Sequence, residues 1–406
     1  MTAIAALSLA PKPRAAVYVV ALLSNGISKM MSVIVPLWLI TLQPSGLMIG
    51  LMIGARSLMA ILFSIPGGAL MDRIGARRVI IGFAVLGLAT TPLYPLMPWI
   101  VAVMLLQVLN GFSETTVWNG IQTLMGQFMK GDHEFAGRLI FATRIGTLVG
   151  PLFSGFCWDL WGPWGGFGST ALWAAAMVAV SSRLPDFPLR SGPASEARPR
   201  LSAFDVMPRL ADYREALILL LVPSIGTMAV VSMLNLGIAS IQQSFQIVLF
   251  ERSGYSGTLI GLLTGVVALA AAWGSLTVGR LTRRFSELTL LNIATIVPIG
   301  VMGLMPFVDA LTGLAIVLAI LGFAQGVGQP LTISMISKAT DKDAQGKAVG
   351  LRATVNRITT TVLPIAMGAI ADVVGLVASF PIVCGALLAL SLWFWALSRR
   401  HWREAA

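Results

Sequence analysis

The sequence predicts an all-α integral membrane protein of about twelve transmembrane helices, arranged as two pseudo-symmetric six-helix bundles. Three observations lead there. Of 406 residues, 56% are hydrophobic and 11% charged, with a mean hydropathy of +0.85, whereas a soluble globular chain is about 25% charged. The apolar residues fall in runs long enough to cross a bilayer, and the two halves of the chain repeat one another. This composition excludes a soluble enzyme and a disulfide-stapled secreted domain. Cys157 and Cys384 stand singly inside apolar runs and read as packing residues. The net charge of +11 raises nucleic acid as a partner, but loop charge orients a membrane protein and accounts for the excess.

Crossing about 30 Å of hydrocarbon takes about 20 apolar residues. Runs of that kind lie at 16–42, 47–71, 77–97, 98–127, 137–160 and 166–183, then at 215–247, 256–281, 287–307, 309–337, 346–373 and 377–398. The first follows Lys12 and Arg14 but is too long for the apolar region of a cleaved signal, and no small-residue cleavage pattern follows it, so it is expected to remain a helix. The connection at 184–214 is the one long polar segment, rich in Pro, Arg, Ser and Ala. It reads as a linker between an N-terminal bundle, 1–183, and a C-terminal bundle, 215–406.

Threading these spans from a cytoplasmic N-terminus places Lys12, Arg14, Arg73, Arg77, Arg78, Lys130, Arg138, Arg280, Arg283, Arg284, Lys338, Lys342, Lys347, Arg399, Arg400 and Arg403 on one side, together with the linker arginines. Arg252 alone falls in an opposite loop. Positive charge concentrates on the cytoplasmic side of a membrane protein, so both termini are expected in the cytoplasm and nucleic acid is not expected as a partner. The expected setting is a cell inner membrane, with the chain a multi-pass monomer in the lipid bilayer.

A shift of the second half by 213 residues lays TRIGTLVGPLFSGFCWDLWG over NRITTTVLPIAMGAIADVVG, so that Arg144 meets Arg357, Pro151 meets Pro364, Gly155 meets Gly368, Asp159 meets Asp372 and Gly162 meets Gly375. At a shift of 211, GFSE at 111–114 meets GFAQ at 322–325, and Glu114 becomes Gln325. A repeat of half the chain implies a binding site near the midplane between two bundles.

GGALMDRIGARR at 67–78 resembles the signature of the major facilitator superfamily between its second and third helices, matching at Gly68, Asp72, Arg73, Gly75, Arg77 and Arg78. The related stretch GSLTVGRLTRR at 274–284 keeps Arg280, Arg283 and Arg284 but has Gly279 in place of the Asp. Gly137, Gly146, Gly150, Pro151, Ser154 and Gly155 resemble the fifth-helix signature of the proton-coupled antiporters of that superfamily, with Ser154 replacing one glycine. The resemblance spans essentially all the predicted helices. It implies alternating access, a cavity lined by the first, fourth, seventh and tenth helices, and a cytoplasmic gate in which Asp72 meets Arg352. One departure bears on coupling: Gln107 stands where the fourth-helix arginine of the family is expected, so the proton chemistry differs here or is missing.

Lys29, Arg56, Arg144, Arg352, Arg357 and Glu114 lie within the spans. A charge at the bilayer centre costs at least about 2.5–3.5 kcal/mol, so such groups face a wet cavity or a partner. Helical spacing puts Gln107, Asn110 and Glu114 on one face of the fourth span and Asn25, Lys29 and Ser32 on one face of the first. Ser224, Met228, Asn235, Gln242 and Gln246 form a polar stripe on the seventh, and Gln325 with Gln329 on the tenth. Glu114 is either half of a bundle-holding salt bridge to Lys29 or Arg144, or the carrier of an exchangeable proton. Lys29 and Arg56 are the expected substrate contacts, with Asn25, Asn110, Asn235, Gln242 and Gln325 completing the cavity. Arg73, Arg77, Arg144, Gly150, Pro151 and Arg357 are expected to serve in gating or structure.

Met48 with Met52 and Met125 with Met129 have the spacing of soft-sulfur copper(I) pairs, but both lie near helix ends and read as packing. No GxxxxGK[ST] loop is present, which argues against direct ATP drive, and no metal or cofactor is expected. The expected function is secondary transport, not enzymatic turnover: export of a small anionic, zwitterionic or neutral polar organic solute in exchange for protons. Import of a small anion, nutrient or copper ion is the alternative, and a lipid-moving or sensing role is the alternative from another class.

Overall fold

The computed structural model describes residues 11–129, 133–184, 223–339 and 345–404. Among them the chain is helical, without strands. The helices are α1 (Pro11–Thr41), α2 (Gly46–Ile74), α3 (Ala76–Thr90), α4 (Leu93–Leu96), α5 (Ile100–Met129), α6 (His133–Ser181), α7 (Pro223–Gln242), α8 (Phe245–Arg252), α9 (Gly257–Leu281), α10 (Glu287–Leu304), α11 (Leu311–Ala339), α12 (Gln345–Val374) and α13 (Leu376–Glu404). Nine stretches among the described residues are long and apolar enough to cross a membrane. The remaining expected spans, at 47–71, 137–160 and 166–183, fall on α2 and on the two limbs of α6. The linker lies outside the described residues beyond Leu184.

Side-chain placement is the reverse of a water-soluble protein. Leu276, Trp273, Val101 and Phe141 are exposed on the outside, while Gln107, Asn110, Ser154 and Thr295 are buried within. An apolar solvent accounts for both, because it tolerates the hydrocarbon and drives polar groups to partners inside.

Three elements differ from the expected runs. The run 77–97 is interrupted at Thr91 and Pro92, where α3 gives way to the short α4. The run 215–247 breaks at Ser244, whose hydroxyl donates to the Ser240 carbonyl at 2.6 Å, the back-bonding that bends helices. The runs 137–160 and 166–183 join in the 49-residue α6, which would be about 73 Å long if straight. It folds back at Gly162, at φ 59° and ψ −145°, a conformation that requires the absence of a Cβ. Both limbs lie on α1. A Cβ on Gly146 would overlap the Leu22 carbonyl, and one on Gly150 would stand 2.8 Å from the Gly26 oxygen. On the return limb, Gly166 lies against Ile34 and Trp173 covers Gly26. The limbs are therefore antiparallel.

At the end of the molecule where α1 finishes and α2 begins, the first and second halves of the chain are joined twice. The Asp372 carboxylate, near the end of α12, accepts the Gly46 and Leu47 amides at 2.5 and 2.8 Å. Asp159, near the end of the first limb of α6, accepts the Gly257 and Thr258 amides at 2.6 and 2.7 Å and the Thr258 hydroxyl at 2.5 Å. Each carboxylate satisfies backbone donors that the first turn of a helix leaves open, and each meets the positive end of that helix. Three residues beyond each carboxylate the chain turns on a glycine of positive φ, Gly162 or Gly375.

Glycine makes the crossings behind these bonds. A Cβ on Gly261 would lie 2.5 Å from the Pro151 carbonyl, and one on Gly50 would overlap the Pro364 carbonyl. Gly54 approaches the Thr361 carbonyl and Gly265 the Leu148 side chain. Pro151 and Pro364 are repeat mates, so the α6–α9 and α2–α12 crossings are two copies of one design.

Replacing both carboxylates, Asp159→Asn with Asp372→Asn, removes the charge from each helix start and is expected to open this end. In a Cys157→Ser, Cys384→Ser background, a single cysteine at Ser32 should be labelled faster by an impermeant maleimide added from that side than in either single variant. Equal labelling in all variants would show that the glycine crossings alone hold the end shut.

Candidate functional site

Between the helices lies a polar cavity of two lobes. The larger, of about 490 Å³, is lined by Lys29, Ser32, Arg144, Asn235, Gln242, Gln246, Gln325 and Gln329 among others. The smaller, of about 380 Å³, is lined by Ser28, Arg56, Glu114, Trp118, Arg357 and Thr360 among others. Asn25, Lys29 and Gln243 line both, so the lobes meet at the middle of α1.

The position of Glu114 follows from Gly111, one turn earlier on α5. A Cβ on Gly111 would overlap the carbonyl of Arg56 and stand 2.8 Å from its Cγ, so the missing side chain brings α5 against α2 at that residue. The Arg56 guanidinium then forms an ion pair with Glu114 and donates to the Ser28 carbonyl and hydroxyl, each at 3.2 Å. The sequence pointed to Lys29 or Arg144 as the partner of Glu114. The structure gives Arg56, because the glycine contact fixes α2 rather than α1 or α6 as its immediate neighbour. The second carboxylate oxygen, Oε1, is buried without a hydrogen-bond partner among the described residues.

The other expected cavity residues divide. Asn235 donates to Thr295 Oγ1 at 3.2 Å and Gln325 donates to Gln242 Oε1 at 3.2 Å, so the second half of the chain supplies an amide-rich wall. Asn25 lines both lobes while donating to the Ala21 carbonyl of its own helix at 3.1 Å. Asn110 is buried and is not among the lining residues. Gln107, on the same face, is also buried and accepts from the Tyr94 hydroxyl at 2.8 Å. The polar face expected on the fourth span thus splits between an internal knot and the cavity.

Among the expected gating residues, Arg144 and Arg357 line the larger and the smaller lobe respectively. Gly150 packs on α1 and Pro151 on α9. Arg77 donates to the Ser182 carbonyl at 2.5 Å, tying the start of α3 to the end of α6. The side chains of Asp72, Arg73 and Arg352 lie outside the described residues, as do those of Met125, Met129, Ser224 and Met228. Met52 is buried and Met48 exposed, so those two sulfurs do not share an environment. No cluster of His, Cys, Asp or Glu suited to a metal occurs among the described residues.

Sequence reasoning matched Asp159 to Asp372 but gave neither a role. The signal lay in their receivers: SGLMIGLMIG at 45–54 and SGTLIGLLTG at 256–265 repeat at a shift of 211. In both, the serine caps the helix and the following glycine donates to the carboxylate.

The sequence model of the Major Facilitator Superfamily matches residues 17–251 and 224–406. The chain belongs to this superfamily. It is a multi-pass membrane transporter of a small solute, not an enzyme. Solved structures of similar fold include a mutant of the nucleoside transporter NupG, at 15% identity and TM-score 0.79, covering 94% of this chain and 99% of that one. A bacterial homologue of the human lysosomal transporter Spinster, inward-facing and unoccupied, matches at 14% and 0.72, covering 96% and 97%. The human organic anion transporter TETRAN matches at 17% and 0.62, covering 95% and 99%. A comparison with curated proteins gave no match. These likenesses show the major facilitator fold.

In this major facilitator, Arg56→Gln would leave Glu114 unpaired inside the protein. It is expected to lower stability by about 3 kcal/mol, the low end for a broken buried pair, since the partners are 21% and 14% exposed. Adding Glu114→Gln should recover most of that loss in thermal unfolding of the purified protein. An undiminished melting temperature in the single variant would mean that the pair contributes nothing to folding.

Proposed function

We propose that the protein is a secondary active transporter of a small organic solute, anionic in preference to zwitterionic or neutral polar, carried through the Lys29 cavity by alternating access. The charge of that cavity carries this reading. Lys29, Arg56, Arg144 and Arg357 line it, and Glu114 is the one carboxylate among its described lining residues. A cationic solute would meet repulsion in surroundings of low effective dielectric.

Bundles 1–183 and 215–406 are the proposed moving units, tethered by 184–214, in a monomer set in a cell inner membrane with both termini cytoplasmic. Loop charge supports that orientation. The end closed by Asp159 and Asp372 then faces outward. Asp72, Arg73, Arg77 and Arg352 are the proposed closure of the cytoplasmic end.

Glu114 is the proposed proton carrier. Its carboxylate and an anionic solute compete for Arg56, so protonation of Glu114 frees the guanidinium for the solute. Proton and anion then favour each other's binding, and the favour is reciprocal; that sign is the sign of cotransport. Export in exchange for protons is the second reading, favoured by the glycine and proline run of α6 and the close crossings it makes on α1 and α9. Acidification strengthens solute binding under the first reading and weakens it under the second.

Glu114→Gln is expected to abolish flux driven by a pH gradient in proteoliposomes while folding and solute binding persist. Undiminished pH-driven flux in that variant would remove Glu114 from the proton path.

A further inference from the structure

The smaller question of which anion fits has an answer in how the cations are distributed. Four line the cavity, and in the described state the Glu114 carboxylate neutralises Arg56. The remaining three, Lys29, Arg144 and Arg357, have no hydrogen-bond or ion-pair partner for their side-chain nitrogens among the described residues. They are also spread along the cavity. Arg144 lines the larger lobe alone, Arg357 the smaller lobe alone, and Lys29 lines both. The order through the cavity is therefore guanidinium, ammonium, guanidinium.

We infer that the solute is a small organic dianion that spans both lobes, one anionic end on Arg144, the other on Arg357 and on the Arg56 that protonation of Glu114 frees in the same lobe, with Lys29 at the junction. This rests on the reading of the cavity as an anion site. A monoanion would leave two cations unneutralised in a cavity that has to close around its cargo, and unpaired charge inside a protein is strongly disfavoured. A second anionic group neutralises one cation more. Arg144 and Arg357 are repeat mates separated by 213 residues, so the two bundles offer equivalent guanidinium groups from opposite sides, as a two-ended ligand requires. A guanidinium matches the planar fork of a carboxylate and the oxygens of a phosphate alike, so dicarboxylates and phosphate monoesters with a second anionic group share the chemistry. Asn235 and Gln242 in the larger lobe and Gln243 in both suit a short polar chain joining the charged ends.

The test uses the purified full chain and ligands that differ in charge at nearly constant shape: succinate, its monoamide succinamate and the neutral succinamide. Longer and shorter dicarboxylates and a phosphorylated carboxylate, 3-phosphoglycerate, are run alongside. Binding is read by calorimetry and by thermal stabilisation. A dianion is expected to bind about tenfold to a hundredfold more tightly than the matched monoanion, the worth of a second charge-assisted contact. The dicarboxylate and phosphate arms tell which of the two sources fits better. Arg144→Gln and Arg357→Gln should each bring the dianion down to the affinity of the monoanion, and Arg→Lys at either site should recover part of the loss.

Monoanions binding as tightly as every dianion in the series would overturn the inference and leave the anion-transport reading standing. Binding of neutral or cationic solutes with no anion bound would overturn both. Because the ligand series runs on the unmodified chain, misfolding of an arginine variant does not blunt it.

Discussion

A helix start leaves backbone amides without intrahelical acceptors and carries the positive end of the helix dipole, so it binds a carboxylate even at the exposed rim of a membrane protein. In this protein α2 and α9 both find that acceptor in the other half of the chain: Asp372 for α2 and Asp159 for α9. Much of the architecture serves these two bonds. Glycines at 46, 50 and 54 and at 257, 261 and 265 let the backbones approach, since small residues are what allow membrane helices to pack closely. Gly162 and Gly375 turn the chain away directly afterwards. The cavity lies deeper, where the same pairs of helices diverge.

Helix type, the approximate spans and the repeat were legible because they depend on composition and on punctuating residues, which a sequence displays directly. The breaks at Thr91 and Ser244 were not, since each depends on one hydroxyl or proline inside an otherwise apolar run. Of the site, Lys29 and the amide wall of Asn235, Gln242 and Gln325 could be read from helical spacing. The partner of Glu114 could not, because it is decided by how deeply α5 settles on α2, and that depth is set by Gly111 meeting the Arg56 backbone. Spacing along one helix carries no information about such a contact. Asn110 and Gln107 share a face with Glu114 yet are buried away from both lobes, Gln107 held by Tyr94, so one stripe serves two environments.

The charge inside the molecule has two different fates. The Arg56–Glu114 pair is compensated within one half of the chain and holds α2 to α5, so it behaves as structure until something competes for it. Lys29, Arg144 and Arg357 have no such compensation among the described residues, and their stability depends on water or cargo in the cavity. A single cavity thus contains a compensated charge pair beside a set of open charges, and the open set requires an occupant before the walls can come together.

The twin carboxylates also bear on leakage. Each bond joins a residue of one half to a helix start of the other, and the two lie on crossings related by the internal repeat. The loss of one carboxylate leaves the other crossing bonded, so closure of this end is shared between two equivalent contacts. An opening at this end must break both, and a leak through it is rarer than the loss of either bond alone.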